Sequence, residues 1–456
     1  MNKELLRKLV GIAALMIGLL LPLAMIEGKI EERSDYQNTV IADIANSAAG
    51  KQTLIGPVLA VRYQVEIPAE TVREEGKIVN LPRRVVDRIA RFPAENLAIT
   101  GGATVETRHR GIYQARLYHL DLALSGVLDL PAQWFAQSEK KEKLLAARAV
   151  MLFGLGDLRG VDKDPEVTVN DEIRHFSTPN DRFLSSVMGG SHLELDLGNL
   201  PPDQSRRFAF SFPLTLTGTE TLSIAPTARD NHVKITSDWP HPSFQGRFLP
   251  RSQTVDGKGF TAEWDVSHLS RDLDAALRGQ EEILGVSFID PVNIYLQSSR
   301  AVKYGILFIT LTFAAFFLGE ILRRRPMYFM QYLLVGLELT LFFLLLVALS
   351  EHLPFAWAYL VSALASVALI AVYLSGVFAS RRLGLVFGGG FAVLYGVLYG
   401  VLQSEDSALL MGSLLLFATL SVIMICTRHL DWKNLGRDME REGREEQEEE
   451  EGGYLL

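Results

Sequence analysis

AVKYGILFITLTFAAFFLGEILRRR, residues 301–325, decides the class of this chain. Its charge is confined to the ends, at Lys303 and Glu320, before three arginines at 323–325. A bilayer core needs about 20 consecutive, mostly apolar residues in a helix, and Val302–Leu322 meets that need. The same reading finds five more segments: Leu9–Ile26 before it, and Gln331–Ser350, Phe355–Phe378, Leu383–Leu402 and Ala408–Thr427 after it. The chain is therefore expected to be an integral membrane protein, in contact with the lipid bilayer through six spans.

Lys and Arg in short flanks set direction, because they stay on the cytoplasmic side. Lys3, Arg7 and Lys8 precede the first span, and Arg323–Arg325 close the second. Glu351 and His352 follow the third span, Arg381 and Arg382 the fourth, Glu405 and Asp406 the fifth. Arg428, Lys433 and Arg437 follow the sixth. The alternation puts both termini in the cytoplasm and the long middle segment outside. A cleaved leader is the alternative for residues 1–26, with Pro22 and Ala24 at its −3 and −1 positions. The apolar run exceeds the about 7–15 residues of a leader, so a retained anchor is expected.

Between the first two spans the pattern changes to alternation. Leu193, Leu195 and Leu197 alternate with His192, Glu194 and Asp196; Phe208, Phe210, Leu214 and Leu216 with Arg207, Ser211, Thr215 and Thr217. Leu120, Leu122 and Leu124 repeat it, as do Val233 and Ile235. One apolar face per strand reads as antiparallel sheets covering each other, a sandwich or an open barrel. Short helices are expected near Glu139–Ala147 and Leu269–Leu277, and a split into two β subdomains near Gly160–Pro179. The organisation is thus an anchor (1–27), a periplasmic sandwich-like β domain (28–299), an α-helical bundle of five spans (300–430) and a tail (431–456). The tail is Glu-rich and reads as disordered, the alternative being an acidic partner-binding segment. Cys426 is the only cysteine, so no intrachain disulfide forms. A formal charge of −8 speaks against nucleic acid as a partner.

Chemistry-bearing motifs are scarce. There is no Gly-x-Ser-x-Gly elbow, no phosphate-binding Gly-x-x-x-x-Gly-Lys, no His-Glu-x-x-His and no Cys-x-x-Cys. His109 and His119 could face each other across strands, or simply be solvated. No catalytic residue, metal site or cofactor is expected. Six residues are candidates for function. Trp239, His241 and Phe244 lie in TSDWPHPSFQGRFLP, residues 236–250, where three prolines stiffen the chain. This is a ledge for a partner or the membrane interface, or a stiff connection packed on the sandwich. Glu338 falls near the middle of the third span, where a carboxyl is costly and commonly marks a pathway; a hydrogen-bonded carboxyl inside the bundle is the plainer reading. Glu351 and His352, after Ser350, form an interfacial cap or a small polar site. In the fifth span Gly384, Gly388, Gly389, Gly390, Gly396 and Gly400 suggest close helix packing. Glu320 reads as snorkelling to the interface.

The Trp-Pro-His-Pro-Ser-Phe run, with Ser237, Gly246 and Phe248–Pro250, is similar to the bacterial inner-membrane CreD family. Gly156-Asp157 with Arg159-Gly160, Met330–Leu337, Leu349–His352, Asp406–Leu410 with Gly412, and Arg428–Trp432 extend the likeness from the first span to about Trp432. The resemblance implies a Gram-negative inner-membrane protein tied to envelope integrity and stress, with no established catalytic activity and no catalytic residues to transfer. The expected function is non-enzymatic support of the envelope, the periplasmic domain contacting an envelope protein or lipid. The alternative is a transporter or lipid-handling protein that uses an intramembrane carboxylate.

Overall fold

The computed structural model describes residues 3–428, apart from 75–76, 133, 136–141, 180–183, 185–187, 189, 202–203, 278–282, 291–292, 324–326 and 404–407. The expectations for Glu405, Asp406 and the acidic tail lie outside the described residues. The chain forms two compact units, one of residues 1–37 and 292–456, the other of residues 38–291.

The first unit is helical. Its helix α1 runs without interruption from Lys3 to Ser47, 45 residues, the last of them counted with the second unit. At about 1.5 Å per residue that is roughly twice a bilayer core, so only its apolar part is needed for crossing. After a short α2 (Leu273–Leu277) in the second unit, the bundle comprises α3 (Ile294–Lys303), α4 (Gly305–Arg323), α5 (Phe329–Ser350), α6 (Phe355–Val377), α7 (Arg381–Gln403) and α8 (Ala408–Thr427). Among the described residues five helical stretches are long and apolar enough to cross a membrane, α3 and α4 counting as one; α8 coincides with the sixth expected span. Asn293 caps α3 by accepting from the Tyr295 and Leu296 amides, which satisfies donors that a helix start leaves open.

Aromatic side chains fill the bundle. Phe308, Phe313 and Phe316 of α4, Tyr332 and Phe342 of α5 and Tyr395 of α7 are nearly inaccessible. Phe313 meets Tyr332 at 5.3 Å, while both Phe308 and Phe342 meet Tyr395, at 5.5 and 4.5 Å. Early residues of α4 thus share a layer with late residues of α5, so the two run antiparallel. The glycine-rich α7 is closed on α6 at two places. A Cβ on Gly384 would sit 2.6 Å from the Ala371 carbonyl oxygen, and one on Gly388 2.9 Å from the Ala371 Cβ. Gly389, Gly390, Gly396 and Gly400 have open space there.

The second unit is a β sandwich whose two sheets share one strand. Its strands are β1 (Gln52–Ile67), the β2–β3 hairpin (Glu70–Glu74, Lys77–Leu81), β4 (Arg84–Arg110), β5 (Tyr113–Leu130), β6 (Lys143–Gly154), β7 (Glu166–Val169), β8 (Glu172–His175), β9 (His192–Asn199), β10 (Arg206–Thr219), β11 (Thr221–Ala225), β12 (Asp230–Ser237), β13 (Ser243–Gly246), β14 (Ser252–Asp256), β15 (Gly259–Ser267) and β16 (Leu284–Ser287). Residues 84–93 of β4 pair with β1; after a bulge at Ala94–Asn96 the same strand pairs with β5 and β12. Bulges bend strands and let them change sheets. The first sheet runs β13-β16-β11-β1, with β6 and β9 beyond β1; the second runs β8-β7-β10-β5-β4-β12-β15-β14. A second crossing falls at Glu220, whose φ of 60° turns the chain from β10 into β11. Inward residues of both sheets, including Leu59, Phe153, Leu122, Phe212 and Trp264, form one core.

Several expectations are corrected here. Lys143–Gly154 is a strand, not part of a helix over 139–147: its Leu- and Ala-rich start pairs with β1, and tertiary pairing overrides helix propensity. The expected split at 160–179 is absent among the described residues, because Val161 bridges to Leu216 and β7 pairs with β10, returning the chain to the same sheet. His192 and Glu194 do not face water. They are 1% and 8% exposed and face each other at 3.3 Å, since a second, smaller core of Ile55, Val150, Leu152 and Met188 lies among the β1 and β6 side chains. His109 and His119 are not cross-strand partners either: they oppose Gln114 and Thr104.

Candidate functional site

The proline-stiffened segment is packed rather than free. Trp239 is half-buried, its ring under the Arg116 guanidinium at 4.9 Å, and its indole nitrogen donates to the His241 carbonyl at 2.8 Å. Arg116 is itself held by both oxygens of Asp290, at 2.8 and 2.9 Å, and by Thr107. Phe244 sits in β13, which pairs with β16, and its ring meets Phe260 and Trp264 edge-on. Asp238 accepts from the Val105 amide at 3.0 Å. Of the three candidates here, only His241 is exposed.

Gly156-Asp157 and Arg159-Gly160 form a clamp on the end of α1. Asp157 accepts from the Gly50 and Arg159 amides, each at 3.0 Å, and from the Arg159 guanidinium at 2.6 Å. Arg159 also donates to the Asn46 carbonyl at 2.7 Å, where α1 ends. Gln52 bridges the Asp157 and Thr217 carbonyls. Gly160 allows this approach, since a Cβ there would stand 2.2 Å from the Thr217 oxygen. The Arg159 guanidinium beside Asp157 holds its carboxyl down at about 2. Every acceptor of this carboxylate is used for structure.

At the end of α5, Glu351 is the C-cap residue, 11% exposed at its side chain. The Tyr295 hydroxyl donates to it at 3.2 Å, and Arg33 of α1 stands at 3.6 Å. His352 is exposed, and Ser350 donates back to the Val347 carbonyl. At the opposite end Glu320 does not snorkel. It is 4% exposed and bonded to Lys8 of α1, with Tyr332 donating to its other oxygen at 3.3 Å. A basic residue on the first helix neutralises it, which spacing within the second span alone does not reveal.

Glu338 behaves differently. It lies one turn before Phe342 on α5, and its Oε2 has no hydrogen-bond partner. Ser366 of α6, 4% exposed, adjoins both this carboxyl and the hydroxyl of Tyr395 on α7. Tyr395 is 2% exposed and its hydroxyl also lacks a partner. Thr312, one turn beyond Phe308 on α4, is equally buried with an unpartnered hydroxyl. Since Phe308, Phe342 and Tyr395 share a layer, Thr312 and Glu338 occupy the next one. Four helices therefore contribute one polar side chain each to these two adjoining layers. Sequence reading found only Glu338; the available signal for the rest was Ser362 and Ser366 one turn apart in an apolar span. The structure does not bring Glu338 together with Glu351 and His352, which lie more than three turns along α5. Among the described residues no group of three or more His, Cys, Asp or Glu side chains converges as metal ligands would.

Comparison with known proteins matches the sequence of this chain to a family. The model of the family described as inner membrane protein CreD covers residues 4–433. Inner membrane protein CreD of Escherichia coli (strain K12) is 33% identical over 434 residues, 93% of this chain and 93% of that protein. Among solved structures, a candidate nutrient-binding protein of Legionella pneumophila aligns with a TM-score of 0.22 and 8% identity, over 47% of this chain and 74% of that one. An M1 zinc metallopeptidase of Deinococcus radiodurans aligns with a TM-score of 0.20 and 9% identity, over 43% and 41%. Scores this low carry no argument about fold or activity.

Proposed function

Because this chain belongs to the CreD family of inner membrane proteins, we propose that it is a non-enzymatic support of cell-envelope integrity under stress. Its β unit stands in the periplasm, where it docks an envelope protein or a lipid, and both termini are cytoplasmic. The observation that carries this reading is the alternation of basic flanks along the spans, which assigns the sequence between the first two to the outer side. The packing of the β unit supports it, since conspicuous polar residues such as Asp157 and Arg116 are committed to holding strands and the end of α1.

The test is crosslinking in living cells from photoreactive residues at Leu269 and Ile173, 86% and 66% exposed on the β unit. Adducts with an envelope protein or a lipid are expected. Absence of any adduct from both positions would overturn the docking role. A second reading, in which the bundle handles protons, ions or lipid through a working carboxylate, is favoured by the polar layer around Glu338.

A further inference from the structure

We propose that Glu338, with Ser366, Tyr395 and Thr312, forms a reversible proton-binding site inside the helical bundle. The inference deepens the second reading above and does not depend on what the β unit docks. It rests on position and on unused valence. Glu338, Tyr395 and Thr312 each leave a polar atom without a partner in a bundle whose buried side chains are mostly apolar. Unsatisfied polar groups are expensive in hydrocarbon, and packed apolar residues would fill the same space at no such cost. Three such groups on three helices, with Ser366 of a fourth beside two of them and one carboxyl able to take and release a proton, are what a proton site requires. Ser366 is placed to share hydrogen bonds with the carboxyl and the phenol alternately, because a hydroxyl both donates and accepts.

Among the described residues no Lys, Arg or His is ion-paired with Glu338 to hold the carboxyl in one state. The ionisable groups on the helices around α5 include Tyr359 and Tyr373 on α6, Tyr395, Tyr399, Arg381 and Arg382 on α7, and Tyr295, Arg300 and Lys303 on α3. The Lys8–Glu320 pair is bonded to Tyr332 at one end of α5, and Arg33 stands by Glu351 at the other. Of these, Tyr395 adjoins Glu338. The contrast with Glu320 on the same bundle is informative, since that carboxylate is tied to a lysine.

The probe is dicyclohexylcarbodiimide, an apolar reagent that adds to a protonated carboxyl in a membrane. The carboxyl O–H adds across one C=N bond, and migration of the acyl group to nitrogen leaves a stable N-acylurea of one reagent mass. The full chain in native membranes is treated across a pH series, purified and mapped by mass spectrometry. The proposal expects one adduct on the α5 peptide at Glu338, its yield falling as pH rises, and complete loss in Glu338→Gln. Glu320 stays unlabelled. Tyr395→Phe moves the pH at which labelling falls by roughly half a unit or more, as loss of a neighbouring hydroxyl should, in a chain that still purifies as a single species. Absence of the Glu338 adduct at every pH, a yield indifferent to pH and to Tyr395→Phe, or protection by sodium at constant pH would each overturn the proposal, the last in favour of a metal-cation site. Since labelling reports proton occupancy and not flux, its success with no measurable transport would separate this site from the broader transport reading.

Discussion

Asp157 and Glu338 are two carboxyl groups that the same chain treats in opposite ways. In the β unit Asp157 receives two backbone amides and a guanidinium, and the strands around it are drawn to the end of α1. In the helical unit Glu338 has an oxygen left over and neighbours that are short of partners themselves. Water-facing sheets can afford polar pairing as a fastener, because a charged group that loses one bond finds solvent nearby. A bundle in hydrocarbon has no such reserve, and its cohesion comes from shape, through interlocked rings and close helix backbones. The difference teaches that the β unit is vulnerable to the loss of a polar group and the bundle to the gain of volume.

The largest effect should follow from breaking the bundle's rule. Gly384→Leu places a side chain against the Ala371 carbonyl and Ser375 at contact distances no packing permits. Folded, monodisperse protein should be lost in detergent chromatography, whereas Gly400→Leu, made where space is open, should purify like the parent. Second comes the β unit's rule. Asp157→Ala leaves Arg159 and two amides without their acceptor and should cost about 3 kcal/mol of the unit's stability in denaturant unfolding, since hydrogen bonds to charged groups are worth about 1.5–3 kcal/mol each. The pH dependence sharpens this. Asp157 is held at about 2 against an ordinary 3.8, so its stabilisation is present above 3.8 and lost as pH falls toward 2. The stability gap between the parent and Asp157→Asn should therefore close between pH 4 and pH 2 within roughly that window. A smaller effect is expected for Tyr118→Phe, which removes a buried hydroxyl donating to the Thr221 carbonyl at 2.6 Å: about 1 kcal/mol by the same measurement. The smallest is Glu351→Gln, where the charged partner among the described residues is a half-exposed Arg33 and a shift of at most about 1 kcal/mol should be seen.

Much of this was legible in the chain. Length and apolarity alone located the long helices, since bilayer thickness acts on each segment by itself. Strict alternation located β5, β10 and β12 for the same local reason. Legibility failed where a distant partner decides. Residues 28–47 read as the start of the β domain, yet continue α1, and Arg159 and Asp157 meet that helix end from more than a hundred positions away. The stretch near Glu139–Ala147 reads as helix, whereas from Lys143 onward it pairs with β1. His192 and Glu194 read as a wet face until a second core covered them. In the bundle Glu338 stood out by charge, but Ser366, Tyr395 and Thr312 are unremarkable singly in apolar spans. Only helix register assembles them, and a sequence without tertiary contacts does not specify it.

Replacing each of the two carboxyls by leucine in the full-length purified protein, and comparing thermal unfolding in one detergent, tests the central contrast most directly. Asp157→Leu should unfold at a lower temperature than the parent, whereas Glu338→Leu should unfold at the same temperature or a higher one, because the bundle keeps that carboxyl for proton binding and not for cohesion. A marked drop with Glu338→Leu, equal to that of Asp157→Leu, would contradict the account and make Glu338 one more structural fastener.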